Sequence, residues 1–224
     1  MTDGPPIRFE LRRGAIRAAP LAVAVGLFGV SFGVLSVTSG GMGALPAIVM
    51  SATTYAGSAQ FAAASVMASG GQTAAAIAAA LLLNGRYLPI GISVARFLSG
   101  GPLRRFFKAQ VVIDESWAIA ARPDGTFNAG HLIGAGVLIW CAWVGGTILG
   151  VLGGEALGDP AALGLDAAFP ALFLALLVGQ LRSRRAIVAA LLGAGIALAL
   201  VPLTPPGVPI IAAAAAALIG LTWR

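Results

Sequence analysis

The sequence predicts an all-α fold: a polytopic helical membrane protein with about seven (six to eight) membrane segments, some of them broken or re-entrant. Of its 224 residues, 58% are hydrophobic and 10% are charged, whereas soluble domains carry about 25% charged residues because their surface must be solvated. Residues 18–85 contain no charged side chain, and the same holds for residues 125–154, 167–181 and 186–223. Since a helix needs about 20 apolar residues to span a bilayer, these stretches contain several spans.

The chain is predicted to consist of a basic cytoplasmic N-terminus, residues 1–17, and one transmembrane helical domain, residues 18–223. The first apolar run is long and no convincing cleavage site follows it, which favours a retained span over a signal peptide. The basic residues that precede it are Arg8, Arg12, Arg13 and Arg17. Such clusters beside apolar spans determine membrane orientation. The net charge of +6 therefore indicates a bilayer, and not nucleic acid, as the partner.

Hydrophobic runs and turn residues divide the transmembrane domain into elements. The predicted segments are residues 18–38, 45–68, 73–98, 103–121, 129–153, 167–181, 186–202 and 208–223. The turn "RPDG" follows the fourth segment, and an acidic, glycine-rich loop with Glu155, Asp159 and Asp166 follows the fifth. The last three segments are short, which is typical of broken or tilted helices.

The basic cluster of Arg104, Arg105 and Lys108 conflicts with a topology in which every segment crosses the membrane. In that topology the cluster lies opposite the N-terminal arginines, against the rule that basic residues flank spans on the cytoplasmic side. If residues 45–68 or 103–121 do not cross fully, the cluster lies on the same side as those arginines. The sequence leaves both topologies open.

The stretch "YAGSAQF", residues 55–61, places polar and small side chains within the uncharged second segment. Gly57, Ser58 and Gln60 predict an interruption of the helix there, because transporters use broken helices to present backbone groups to substrates. The alternative is close packing, since small residues let helices approach in lipid. Three glycine pairs with this spacing are interpreted as packing seams only: Gly29 and Gly33, Gly130 and Gly134, and Gly146 and Gly150.

Ionisable side chains within membrane segments cost about 2.5–3.5 kcal/mol at a helix centre, so each is a candidate for function. Arg86 lies with Asn84 in "LLLNGRYLPIG", midway along the third segment. Its guanidinium can bind a carboxylate through two hydrogen bonds. The alternative is an ion pair that fixes two helices.

Two adjacent acids, Asp114 and Glu115, lie in the fourth segment. If that segment is one helix, Glu115 falls within about 40° of Arg104, Lys108 and Arg122, which predicts a salt bridge on a basic stripe. Asp114 then points to a more apolar side of the helix. A carboxylate there suits a proton carrier.

The chemistry of the remaining residues excludes several classes of protein. Cys141 and His131 are the single cysteine and the single histidine, so no internal disulfide and no histidine-rich metal centre can form. No phosphate-binding motif GxxxxGK[ST] occurs. No catalytic residue, metal site or cofactor is therefore predicted, and the chain is not expected to be an enzyme.

Several motifs together closely resemble the AzlC family. They are "SFGVLS" at residues 31–36, "SATTYAGSAQFAA" at 51–63, "NGRYLPIG" at 84–91 and "IDESWAI" at 113–119. The resemblance covers about residues 14–122. It implies the large subunit of a branched-chain amino acid exporter, driven by an ion gradient, in the inner membrane of a bacterium. It also implies a small AzlD-like membrane subunit as partner and Leu, Ile, Val or similar amino acids such as Met as substrates.

These observations combine into one hypothesis for the site. The candidate substrate-binding residues are Phe32, Gly57, Ser58, Gln60, Phe61, Asn84, Arg86 and Tyr87. The candidate proton-coupling residues are Asp114 and Glu115. Two other functions stay open at this point: a channel-like amino acid facilitator, and a structural or sensory membrane subunit that transports nothing.

Overall fold

The computed structural model describes residues 6–38, 41–154, 174, 177, 178, 181–214 and 216. In this part of the chain the secondary structure is helical except for one isolated β-bridge, between Ala121 and Phe127. The helices are α1 (Ile7–Thr38), α2 (Ala44–Thr53), α3 (Gly57–Ala68), α4 (Thr73–Asn84), α5 (Tyr87–Val94), α6 (Pro102–Ala109), α7 (Asp114–Ala120), α8 (Ala129–Gly154), α9 (Arg184–Leu200) and α10 (Val208–Ala214). A 3₁₀ turn, Ala95–Phe97, extends α5. The predicted acidic loop, most of the segment at 167–181 and the end of the last segment lie outside the described residues.

Two of the described helices, α1 and α8, are long and apolar enough to cross a membrane by themselves. A third crossing results if α4 and the extended α5 form one span, bent by 41° at its break. The count of about seven membrane segments stays a prediction. Both ends of α8 and the C-terminal end of α1 agree closely with the predicted ends of the fifth and first segments. Helix α1 begins at Ile7, well before the predicted start at residue 18, so the basic residues from Arg8 to Arg17 lie in the same helix as the first span.

Helices α1 and α8 pack side by side along a seam of glycines. A Cβ atom at Gly33 or Gly150 would clash with the backbone of the facing helix, and so would one at Gly134. The predicted packing seams are therefore confirmed. Along the seam, residue numbers rise in the same direction in both helices: Gly14 lies against His131, and Gly33 lies against Thr147. The two helices are therefore parallel. We call the end at which both begin the basic end, because it carries the N-terminal arginines, and the other the far end.

Helices α2 and α3 form a hairpin that enters from the far end and returns to it. Along α2 the contacts move towards the start of α8: Ser51 contacts Thr147, and further along the chain the Tyr55 hydroxyl donates to the Gly136 carbonyl. After the break the direction reverses, because Gln60 in α3 contacts Trp143. Tyr55 has a φ of 43°, in a region that residues other than glycine rarely adopt. The predicted interruption in the second segment is confirmed.

Helices α4 and α5 connect the far end to the basic end. Helix α4 packs against α3, and α10 contacts α4. At the other side of the break, Val94 and Leu98 pack with Leu132 near the start of α8, and the ring of Phe97 lies 5.6 Å from that of Phe127. The third predicted segment is thus a bent crossing, with its break at residues 85–86.

Helices α6 and α7 form a second hairpin, which begins and ends at the basic end. Arg105 in α6 donates to the Ala95 carbonyl at 3.0 Å, and Ala120 at the end of α7 packs against Leu132. The prediction of one helix over 103–121 is wrong, because residues 110–113 leave the helical path. Helices of eight and seven residues are about 12 and 10 Å long, so neither alone crosses a hydrocarbon core of about 30 Å.

The first hairpin resolves the conflict over the basic cluster, because the chain returns to the far end before α4 and α5 lead to the basic end. Helix α6 follows the basic end of α5, and the Lys108 ammonium donates to the Ser99 carbonyl there at 2.6 Å. The cluster therefore lies at the end that carries the N-terminal arginines. The turn after α7 is at this end as well. In that turn Thr126 donates from its hydroxyl to the exposed carboxylate of Asp124, which lowers the pKa of Asp124.

Candidate functional site

The guanidinium of Arg86 connects three breaks in the helices, at residues 54–56, 85–86 and 110–113. Arg86 lies between α4 and α5, and its Nη2 atom donates to Ser58 Oγ, at the start of α3, at 2.9 Å. The same atom is 3.1 Å from Oδ2 of Asp114, the first residue of α7. One cation therefore connects the tips of both hairpins to the bent crossing. The side chains of Arg86 and Asp114 are 42% and 41% exposed, so a ligand can reach the pair.

A cavity of about 740 Å³ lies beside this junction. Helix α1 supplies one wall, with Leu21, Val25 and Phe28. The predicted site residues that line the cavity are Gly57, Ser58, Phe61, Arg86, Tyr87, Asp114 and Glu115. Residues that are far apart in the chain thus share one cavity wall.

Three predicted substrate-binding residues do not line the cavity. Gln60 is fully buried and forms hydrogen bonds within the α2–α3 hairpin and to α8. Phe32 is also fully buried, and its ring stacks on that of Trp143 at 5.8 Å. Phe32 therefore supports the cavity wall from behind. Asn84 ends α4, and its buried Oδ1 has no hydrogen-bond partner among the described residues.

The predicted salt bridge of Glu115 with the basic stripe is wrong. Because α6 and α7 are separate helices, the orientation of Glu115 is independent of that of Arg104 and Lys108. Glu115 instead lines the cavity. Both Asp114 and Glu115 lie in the first turn of α7, where the helix dipole favours negative charge.

Sequence reasoning missed part of the cavity wall. Tyr55, Trp117 and Trp143 line it, and none of them is among the predicted site residues. The wall from α1 has the spacing of one helix face, at residues 21, 25 and 28. That periodicity could not be recognised in the sequence, because every face of an uncharged span is apolar.

The arrangement suits a small zwitterion or carboxylate ligand. Among the described residues, the hydrogen bonds and the ion pair of the Arg86 guanidinium use Nη2, and its Cζ atom lies 5.2 Å from the centre of the Tyr87 ring. Nε and Nη1 therefore remain as donors for a ligand, and a guanidinium binds a carboxylate with two such atoms. The first N–H groups of a helix have no partner within the helix, so the start of α3 at Gly57 and Ser58 adds donors. In the described part of the chain, no group of three His, Cys, Asp or Glu side chains is placed to hold a metal ion.

Comparison with known proteins identifies the family. Residues 20–157 match the AzlC family, described as "AzlC protein". The chain belongs to the AzlC family. It is also 32% identical over 221 residues, which is 95% of this chain and 94% of the relative, to an "Uncharacterized membrane protein" of Archaeoglobus fulgidus. No solved structure matches.

The AzlC family is a family of transporters, not of enzymes, and is associated with branched-chain amino acid transport. Three of the four AzlC-like motifs coincide with helix interruptions. "YAGSAQF" spans the α2–α3 break, "NGRYLPIG" spans the α4–α5 break, and "IDESWAI" contains the start of α7. The fourth, "SFGVLS", lies within α1.

Proposed function

We propose that this AzlC protein is a secondary transporter that exports Leu, Ile, Val and similar amino acids such as Met. It acts with a small AzlD-like membrane subunit, in exchange for protons, in the inner membrane of a bacterium with its N-terminus in the cytoplasm. The observation that carries this proposal is the Arg86–Asp114 ion pair at 3.1 Å, beside a cavity and at the junction of both hairpins.

The ion pair supplies a site for the substrate carboxylate. Asp114 and Ser58 hold Nη2 of Arg86, so the guanidinium is oriented before the substrate arrives, which reduces the entropy lost on binding. Nε and Nη1 then bind the carboxylate.

The carboxylates of Asp114 and Glu115 supply the coupling to protons. A bound amino acid carries an ammonium group, which requires a negatively charged oxygen atom as its partner. A proton on the same carboxylate removes that charge. Ammonium and proton therefore compete for these side chains, and mutually exclusive binding lowers the affinity of each in the presence of the other. Such competition is the condition for exchange of an amino acid for a proton.

Efflux of labelled leucine from cells that also express the partner subunit tests the proposal. We expect Arg86→Ala and Asp114→Asn each to reduce the efflux rate at least about tenfold, which corresponds to about 1.4 kcal/mol, because Arg86 supplies the donors for the substrate carboxylate and Asp114 carries the proton. Arg96→Ala is the control, since Arg96 lies over the Phe97 ring at the basic end of α5. Unchanged efflux in both variants, at equal amounts of protein, would remove these residues from the mechanism.

A further inference from the structure

The charges at the cavity do not balance. Its wall contains one cation, Arg86, and two carboxylates, Asp114 and Glu115. Arg86 is paired with Asp114. For Glu115, the described residues supply no ion-pair partner. One uncompensated carboxylate therefore faces the cavity.

A small organic cation is the ligand that best satisfies this carboxylate. The rings of Tyr55, Tyr87 and Trp117 line the same cavity, and the faces of aromatic rings attract ammonium groups at short distance. Nε and Nη1 of Arg86 and the carboxylate of Glu115, two residues that line the same cavity, together match an α-amino acid, whose carboxylate and ammonium are joined through a single carbon atom.

The cavity as a whole is larger than an aliphatic side chain requires. A volume of about 740 Å³ lies within the range of about 300–1,000 Å³ that holds drug-sized ligands. The apolar walls come from α1, α3, α5, α7 and α8, and they include Phe28, Phe61, Ile90, Trp117 and Trp143. Aromatic walls favour an aromatic ligand, because ring pairs contribute about 0.5–1.5 kcal/mol beyond their buried area.

We propose that Glu115 binds the ammonium group of the substrate and that the cavity accepts α-amino acids with bulky apolar side chains, aromatic ones included. This inference rests on the proposed transport function. It extends that function in two ways: it assigns one residue to one substrate group, and it adds phenylalanine and tryptophan to the substrates.

Displacement of tritiated leucine from the purified chain and its partner subunit, in detergent micelles, tests the substrate class. We expect phenylalanine and tryptophan to displace leucine within about tenfold of the concentration that unlabelled leucine needs. Alanine should be at least about tenfold weaker than leucine, because it leaves most of the apolar cavity unfilled. Isocaproate, which is leucine without its amino group, should also be at least about tenfold weaker than leucine.

The variant Glu115→Gln tests the role of Glu115, because it removes the negative charge and keeps the size of the side chain. We expect leucine to bind at least about tenfold more weakly to it, with isocaproate unchanged, so that the preference for the amino group disappears. Asp124→Asn is the matched control, since it removes an acid from an exposed turn outside the cavity. Thermal unfolding of both variants shows that they are folded.

The outcomes separate this inference from the proposed function. If no amino acid displaces or binds, both fail. If leucine binds but phenylalanine and tryptophan do not, the wider substrate class is overturned and the transport function stands. If folded Glu115→Gln keeps the preference of the unmodified chain for leucine over isocaproate, the assignment of Glu115 is overturned.

Discussion

The amide of Gln60 holds the break between α2 and α3 in its observed geometry. Its Oε1 accepts from the Ala56 N–H at 3.2 Å and from Trp143 Nε1 at 3.1 Å, and its Nε2 donates to Ser51 Oγ at 3.0 Å. These groups are buried, where an unpaired donor or acceptor is costly. A polar residue in an uncharged span therefore serves here to satisfy interrupted backbone, next to the cavity and not in it.

We expect Gln60→Met to lower the free energy of unfolding by about 1–3 kcal/mol, because two donors lose their acceptor and Ser51 loses a donor. Gln72→Met is the control, since Gln72 lies exposed in the turn before α4, and its effect should stay within about 0.5 kcal/mol. Unfolding in a detergent mixture measures both. Equal stabilities of the two variants would contradict the role of Gln60.

The α1–α8 seam shows how closely helices approach in this protein. Gly146 lies against the backbone of Gly26, whereas its neighbour Gly145 has no other residue near the position of a Cβ atom. Van der Waals contact between backbones, and not apolar side-chain burial, is the main attraction between helices in lipid. The seam fixes the relative position of α1 and α8, and both hairpins pack against this helix pair.

We expect Gly146→Ala to destabilise the protein by about 1–3 kcal/mol, because the methyl group forces the helices apart. Gly145→Ala, one residue earlier, should be neutral or stabilising by up to about 1 kcal/mol, since alanine is the better helix former. Thermal unfolding of the two purified variants measures the difference. If both behave alike, the seam does not depend on backbone contact.

At the scale of the whole fold, the described residues 7–120 form a crossing followed by a hairpin, twice and in opposite directions. Helix α1 leads to the far end, from which the α2–α3 hairpin enters. The bent α4–α5 crossing leads back to the basic end, from which the α6–α7 hairpin enters. Repeats of opposite direction are common in transporters, with the substrate at the interface between repeats. The position of Arg86 between the two hairpin tips corresponds to such an interface.

This topology predicts which residues share one side of the membrane. In a chain with Cys141→Ser, single cysteines at Lys108 and Arg122 should react with an impermeant maleimide from the same side, and a cysteine at Gln72 from the opposite side. Labelling of intact cells and of inverted vesicles measures this. Reaction of the Lys108 and Arg122 positions from opposite sides would disprove the second hairpin, and reaction of the Lys108 and Gln72 positions from the same side would disprove the α4–α5 crossing.

The interruption near Tyr55, the glycine seam and the ends of α8 could be predicted because their signals are local. Small and polar residues interrupt apolar runs, and glycines at a spacing of four lie on one face of a helix. The break at residues 110–113 has no such signal. The prediction of one helix there placed Glu115 on the wrong face. After a break the next helix has its own axis, so the positions of α6 residues do not predict which way an α7 residue points.

Composition alone determined that the chain is a helical membrane protein, and its motifs resemble those of the AzlC family. Ionisable and polar side chains within apolar segments made Arg86, Asp114 and the "AGSAQ" stretch candidates for function. Only the tertiary structure decided that Arg86 pairs with Asp114 and Ser58, that Gln60 and Phe32 lie behind the cavity wall, and that Glu115 faces the cavity. These are distances between residues far apart in sequence. Such distances depend on how helices pack, and periodicity along one helix does not contain that information.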